Sequence, residues 1–300
     1  MLRAQAPMIP FKNYLPEPAP KGTASVIGLA AAYLEARSPD SVMAILTADH
    51  IIRREERFRE LLSAGYQVAR EGGLVTLGIT PTLPSTSYGY IHLGERLGEY
   101  RGFDLHASRG FKEKPARDRA EAFLAQGDYV WNSGMFVWRA ERILDEIERW
   151  MPTLSRGLAQ YLAVFGDPSE DEVLKRVWDT LESETIDYGV MERAKDVVVI
   201  PVGELGWYDI GTWDRLFDLG DLDDHGNLIM ARETLSLDAA GTLVLQRSSV
   251  VDPSLIAVLG VENLIIIDTG DVVLICDRKK AEQVRELVEI LKHRGQEKYL

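Results

Sequence analysis

A single cysteine, Cys276, stands in 300 residues. One thiol excludes an intramolecular disulfide and any cysteine-built zinc cage. It lies in the apolar run Val272–Cys276, where a thiol reads as a buried core residue. No apolar stretch is long enough to cross a bilayer. Met1–Pro10 has neither a long apolar core nor a signal-peptide cleavage site, so the chain reads as cytoplasmic. Positive charge is also short: 34 Lys and Arg face 47 Asp and Glu, a formal net charge of -13. That balance excludes a general nucleic-acid binder or an anionic-membrane binder. It does not exclude a small phosphorylated ligand, which needs only a local cluster of lysine and backbone N–H groups. The histidines, His50, His92, His106, His225 and His293, show no metal-ligand spacing and read mostly as surface or strand-end residues. Three motifs are absent: the G-x-x-x-x-G-K-S/T phosphate loop, the G-x-G-x-x-G dinucleotide fingerprint and the G-x-S-x-G nucleophile elbow.

What is present reads as an ordinary globular chain, 46% hydrophobic and 27% charged, large enough for one large or two modest domains. Residues 1–21 hold Pro7, Pro10, Pro16, Pro18 and Pro20, which forbid a continuous helix and predict an extended lead-in. Helices are expected over Gly22–Ala36, Arg54–Arg70, Ala116–Ala125, Ala140–Trp150, Thr153–Val164 and Glu170–Leu181. Strands are expected at Val42–Leu46, Leu74–Ile79, Tyr88–Leu93, Leu105–Lys112, Gly134–Trp138 and Val197–Val202. The strand–helix–strand order near the start points to a parallel sheet with helices on its faces. After about Gly220 the texture changes. Short strands at Thr234–Leu237, Thr242–Gln246, Leu255–Leu259, Leu264–Ile267 and Val272–Cys276, split by Gly, Asp and Asn turns, suggest a small solenoid-like β unit closed by a helix at Lys279–Lys292. The expected division is therefore 1–220, an α/β domain, and 221–300, a β-rich domain.

Several residues could carry chemistry. Asp49 follows an apolar strand, where open α/β sheets place ligands, and a carboxylate there suits magnesium; it could equally cap the next helix. Asp209 lies in Gly206-Trp207-Tyr208-Asp209-Ile210-Gly211-Thr212-Trp213. The aromatics could wall a ligand site around the acid, or be core residues with Asp209 capping a helix near Thr212. In Phe111-Lys112-Glu113-Lys114-Pro115, Glu113 could accept from sugar hydroxyls and Lys114 could neutralise a phosphate; the alternative is a solvated charge run. Asn132, in Trp131-Asn132-Ser133-Gly134, offers an amide suited to hydroxyls, or an Asn-Ser-Gly turn. Gly89, in Ser87-Tyr88-Gly89-Tyr90, would allow a close backbone approach, or simply start a strand. Asp187, in Ile186-Asp187-Tyr188-Gly189, adds an acid near hydroxyls, or begins a helix.

Singly these motifs are weak, but six of them in order carry a resemblance. Thr47-Ala48-Asp49-His50, Tyr88-Gly89-Tyr90-Ile91, Phe111–Pro115, Asn132–Phe136, Ile186–Glu192 and Trp207–Trp213 resemble the bacterial mannose-1-phosphate guanylyltransferases. Lys21-Gly22-Thr23-Ala24 resembles that family's helix entry near the base-binding region, where Arg-Asn-Thr-Ala-Pro is usual. The resemblance covers roughly residues 17–290. It implies a Rossmann-like nucleotidyltransferase domain followed by a small β-helix-like domain. It implies synthesis of GDP-mannose and pyrophosphate from GTP and mannose 1-phosphate, with Mg2+ as cofactor. By position, Asp49 and Asp209 match the magnesium-binding acids, Glu113 the sugar-hydroxyl ligand, Lys114 the phosphate ligand, and Gly89 and Asn132 sugar-binding positions. Asp187 lies in a matching motif. Neither nucleic acid nor membrane is an expected partner, and a homodimer is left open.

One departure stands out. The family opens with a strand, a G-G-x-G-T-R-x-x-P loop and a Pro-Lys pair that cradle the triphosphate, and nothing in Met1–Gly22 matches them. The expectations are a start codon placed late, a sheet edge or seam left uncovered, and little turnover by the chain as given, since losing even one preorganised donor costs about a hundredfold to a thousandfold in rate. Another sugar-1-phosphate nucleotidyltransferase, or a non-catalytic sugar-phosphate or nucleotide-binding relative, is the alternative reading. Translating the upstream DNA tests the late start: an in-frame G-x-G-T-R loop is expected, and a stop codon directly before Met1 with no such loop would refute it.

Overall fold

Helix α1 (Thr23–Arg37) shows how the sequence builds its first element. It is rich in Ala and Leu, strong helix formers, and it ends ahead of Ser38-Pro39, because a proline disfavours helical backbone just before it. Strand β1 (Val42–Ile45) follows, then β2 (His50–Ile52), α2 (Glu55–Arg70), β3 (Leu74–Ile79), β4 (Tyr90–Tyr100), β5 (Phe103–Lys112) and α3 (Arg117–Gln126). Gly127, left-handed at φ 76°, stops α3. Next come β6 (Tyr129–Arg139), α4 (Ala140–Trp150), α5 (Pro152–Leu162, with proline at its first position), α6 (Glu170–Thr180), a π-helical turn Asp187–Met191, β7 (Val197–Val202) and β8 (Trp207–Asp209). The computed structural model describes residues 5–247 and 254–299.

The chain divides into two units: residues 1–48 with 52–207, and residues 49–51 with 208–300. The first is an α/β/α sandwich around a six-stranded sheet in the order β1-β6-β3-β7-β5-β4. Alternation along β6 feeds both layers. Phe136 and Trp138 enter a core with α1, α4, α5 and α6, while Met135 and Val137 enter another with Leu61 and Ala64 of α2 and Phe123 of α3. Central β3 is buried at all six positions, and each of its large apolar side chains contributes roughly 1.5–3 kcal/mol by leaving water.

The expected parallel sheet needs correction. β3 and β7 are parallel, but β6 is antiparallel to both β1 and β3 and lies between them, and β4 and β5 form an antiparallel hairpin. β1 stands at the edge of the order. A second correction concerns Asn132: β6 begins at Tyr129, so Asn132 sits inside a strand rather than in a turn that opens one. In the described part of the proline-rich lead-in, a hydrogen-bonded turn from Ala6 to Ile9 and a short 3-10 turn at Phe11–Asn13 interrupt irregular backbone.

The second unit continues with β9 (Leu228–Met230), β10 (Thr234–Leu237), β11 (Leu243–Gln246), β12 (Ile256–Leu259), β13 (Leu264–Asp268), β14 (Val273–Asp277) and α7 (Val284–His293). β9, β11 and β13 run parallel in successive rungs, so Leu228, Leu243 and Ile265 stack in one buried column. β10 and β12 form a second parallel ladder. This is a short β-helix, as the solenoid-like spacing predicts. Asn227 closes a corner, donating to Asp223 and to the Ala239 carbonyl and accepting from the Thr242 N–H. The closing helix is shorter than expected, because Arg278–Gln283 is a 3-10 turn. Cys276 is half-buried rather than fully buried, since it lies on β14 at the end of the sheet order; burial pushes its thiol pKa up.

Gly78 lies opposite Asn132, and a Cβ there would stand 2.3 Å from Val130 Cγ2 and 3.1 Å from Val199 Cγ1. Overpacking of this kind costs about 1–3 kcal/mol. Gly78→Ala is therefore expected to lower the urea midpoint of unfolding without changing its slope.

Candidate functional site

In the first unit the site begins with a bulge. β6 pairs Phe136 with Thr76 and Asn132 with Gly78, so three residues of β6 pass a single residue of β3. Such an insertion bends a strand and re-aims its side chains. Gly134 takes a left-handed φ of 67° inside it, a conformation that suits glycine. Ser133 plugs the gap, its hydroxyl donating to the Leu77 carbonyl at 2.6 Å and accepting from Met135 N–H at 3.2 Å. Asn132 is held at three points. Its N–H donates to the Gly89 carbonyl at 2.8 Å, its Oδ1 accepts from Gly134 N–H at 3.1 Å, and its Nδ2 donates to Asp187 Oδ1 at 2.7 Å.

Gly89 is where another residue needs space. A Cβ there would lie 2.5 Å from Glu113 Oε2 and 3.5 Å from Asn132 Cβ. The Glu113 carboxylate thus seats against bare backbone. Lys114, one residue on, holds a strained φ of 36° before buried Pro115, and its Nζ stands 3.9 Å from Glu113 Oε1. Gly89, Glu113, Lys114, Asn132 and Asp187 are thereby brought together. The charge run is not simply a solvated strand end: Lys114 is exposed, but Glu113 is half-buried.

Electrostatics at this cluster run one way. Burial pushes Glu113 above the ordinary carboxylate range, Lys114 pulls it back, and Asp187 and Glu192 push it further up. Asp187 is raised by burial, against the opposing hydrogen bond from Asn132. Glu192 is raised by burial and by Asp187, and lowered by Lys112 and Arg193. Tyr88, Trp131 and Trp207 pack beside the cluster's strands, with ring centroids 5.0 Å apart for Tyr88–Trp131 and 5.4 Å for Tyr88–Trp207.

The second unit holds a different constellation. Asp49, His50 and Asp209 each place a ligand atom within 4.8 Å of the others. Backbone pairing assembles them, Ile210 N–H donating to the Asp49 carbonyl at 2.8 Å. Neither aspartate caps a helix. α2 starts behind Arg54, the 3-10 turn Trp213–Asp218 starts behind Thr212, and neither start takes a side-chain cap. Two carboxylates and an imidazole form a donor set that fits a divalent cation. Burial lowers the pKa of His50, while Asp209 and Asp49 act to raise it; the net lowering favours the neutral, ligating ring. Spacing along the chain misses His50 because its partners include an acid far away in the sequence, Asp209. The available signal was its position next to Asp49 at the end of a strand.

Comparison with known proteins fits this geometry. The nucleotidyl transferase family model matches residues 8–225. The chain belongs to the nucleotidyl transferase family. A second model, the mannose-phosphate isomerase/GMP-like β-helix domain, matches residues 232–291 of this family member. Mannose-1-phosphate guanylyltransferase of Klebsiella pneumoniae is 35% identical over 289 residues, covering 96% of this chain and 59% of that protein. The Salmonella typhimurium enzyme of the same name is 36% identical over 292 residues, with the same coverage. The chain thus spans 59% of the length of these curated relatives. The crystal structure of mannose-1-phosphate geranyltransferase from Thermus thermophilus superposes with a TM-score of 0.79 at 33% identity, covering 97% of this chain and 81% of that one. No helix among the described residues is long and apolar enough to cross a membrane.

The seat of Glu113 makes a local test. Gly89→Ala is expected to push the carboxylate tip aside with little loss of stability, because the clashing atom ends a flexible side chain. Loss of burial lowers a raised carboxyl pKa, so the Glu113 value should fall toward the ordinary range. A 13C-detected NMR titration of its carboxyl carbon reads this; an unchanged value would mean that the seat does not govern its burial.

Proposed function

We propose that the chain is a mannose-1-phosphate guanylyltransferase, joining GTP and mannose 1-phosphate to give GDP-mannose and pyrophosphate. The observation that carries this reading is the seating of Glu113 over Gly89, beside the fixed Asn132 amide and the Lys114 ammonium. A carboxylate with free lone pairs and an amide that both donates and accepts suit vicinal hydroxyls, and a mobile ammonium suits a phosphate dianion. The names of the relatives supply the sugar and the base.

In this reaction an oxygen of the sugar phosphate attacks the α-phosphorus of GTP. A new P–O bond forms, the bond from the α-phosphorus to the bridging oxygen breaks, and pyrophosphate leaves with that oxygen. No protein nucleophile is required. Glu113 and Asn132 would orient the sugar ring by its hydroxyls, and Lys114 would hold the phosphate so that its oxygen is presented for attack, the gain expected from positioning. A divalent cation, magnesium in our reading, would be held by Asp49, Asp209 and His50 and would supply charge neutralisation.

The test separates binding from turnover. Calorimetric titration should show saturable binding of mannose 1-phosphate and weaker binding of glucose 1-phosphate, while a separate assay of pyrophosphate release from GTP in magnesium should show only slow turnover, because the chain as given carries no G-x-G-T-R loop. Lys114→Ala should weaken mannose 1-phosphate about tenfold or more, the worth of a charge-assisted contact, and leave GTP affinity within about twofold. Equal losses for both ligands would refute the placement of Lys114. Binding with no pyrophosphate release even by a version of the chain supplied with a G-x-G-T-R loop would favour a sugar-phosphate-binding relative.

A further inference from the structure

The Asn132 amide can sit only one way round. Turned over, its NH2 group would meet the Gly134 N–H, donor to donor, and its oxygen would meet the Asp187 carboxylate, acceptor to acceptor. As placed, both contacts are satisfied, and one Nδ2–H with one Oδ1 lone pair is left for a ligand. Asp187 therefore decides which face Asn132 offers.

Asp187 is in turn placed by the start of α1. The Thr23 hydroxyl accepts the N–H of buried Ile186 at 2.9 Å, one residue before Asp187. Two further bonds fix the same stretch: Glu184 N–H donates to the Lys21 carbonyl at 3.0 Å, and Ala24 N–H donates to the Glu184 carbonyl at 3.1 Å. The Lys21 ammonium also donates to the Leu181 carbonyl at 2.7 Å. Gly22 has φ 81°, and a Cβ there would stand 2.2 Å from the Glu184 oxygen, so the two segments meet backbone to backbone. Beyond Asp187 the chain enters the π-helical turn, whose Gly189, Val190 and Met191 are buried. The acid thus has hydrogen-bonded backbone before it and buried backbone after it.

We propose that Asp187 and Thr23 are positioning residues for sugar-phosphate recognition: Thr23 registers the segment that delivers Asp187, and Asp187 fixes the amide that Asn132 turns to the sugar. This rests on the sugar-phosphate reading above and adds two roles to it. Asp187 acts through Asn132 instead of holding a hydroxyl itself, and the Lys21-Gly22-Thr23-Ala24 stretch serves the sugar side of the enzyme.

The experiment titrates the full chain and its variants with mannose 1-phosphate by calorimetry, and follows the Asn132 side-chain amide pair in 15N–1H spectra, assigned by its loss in Asn132→Asp. Asp187→Ala should weaken binding about tenfold or more, and Asp187→Asn, which keeps a neutral acceptor, by less. Thr23→Val should weaken binding several-fold, and Thr23→Ser, which restores the hydroxyl, should bind within about twofold of the wild type. The Asn132 resonances should move in Asp187→Ala and Thr23→Val and return in Thr23→Ser; a purely structural role would give no such rescue at that amide. Glu113→Ala is the control. If it weakens binding while Asp187→Ala and Thr23→Val do not, the positioning roles are wrong and the sugar site stands. If the wild-type chain fails to bind mannose 1-phosphate, the sugar reading falls. In that case an Asn132 amide unmoved by Asp187→Ala refutes the clamp as well.

Discussion

Strand β6 has to satisfy three neighbours, β1, β3 and β4, while feeding two cores and presenting Asn132. A regular strand has a period of two and can serve two faces, but it cannot also offer one polar side chain at a chosen angle. The bulge opposite Leu77 resolves the conflict. After it, Met135, Phe136, Val137 and Trp138 alternate between the two cores; before it, Asn132 is free of that alternation. Gly134 supplies the left-handed residue, Ser133 satisfies the carbonyl the bulge exposes, and Gly78 leaves room for Val130. The cluster of Glu113, Asp187 and Asn132 forms around the one position the bulge sets apart.

Much of this was legible from residues alone, for identifiable reasons. Apolar runs bounded by breakers located β3 and β7 to the residue, because buried strands have no polar face to blur their ends. Adjacency in the sheet was not legible. Val42–Ile45, α2 and Leu74–Ile79 do read as strand, helix, strand, and β1 and β3 do run the same way, but β6 arrives much later in the chain and separates them. Local order constrains crossover direction and says nothing of later insertions. Asn132-Ser133-Gly134 misled for a related reason: turn-forming residues also build bulges, and only pairing with β3 distinguishes the two.

The site was legible as a set of segments more than as a geometry. Motif order gathered Gly89, Glu113, Lys114, Asn132 and Asp187, which the fold brings together. What each residue does to the next was hidden. Gly89 read as a place where a ligand approaches the backbone, yet the group against it is the Glu113 carboxylate. Asp187 read as one more acid near hydroxyls, yet one of its oxygens is engaged by an amide. His50 escaped because metal-ligand spacing along a sequence detects ligands from one element, whereas Asp49, just ahead of β2, and Asp209, at the end of β8, are joined only by tertiary pairing.

Electrostatics explain why such a cluster persists in an acidic chain. Glu113, Asp187 and Glu192 all have their carboxyl pKa values raised, so the folded state holds these protons more tightly than the unfolded chain does. The stability they contribute is therefore fully present at low pH and is lost as pH rises through the folded values, so their ionisation, opposed chiefly by burial, is a cost to the fold. Structural need would be met by amides of the same shape. A need to accept two hydroxyl hydrogen bonds on one group would not, because an ionised carboxylate is acceptor-only and an amide has one acceptor oxygen. The same cluster keeps few cations: Lys114 is mostly exposed at 3.9 Å from Glu113, and Lys112 and Arg193 offset Glu192. A pair held that loosely gains little from its own closure. The Lys114 charge is thereby left uncommitted, while one oxygen of Asp187 is already engaged by the Asn132 amide.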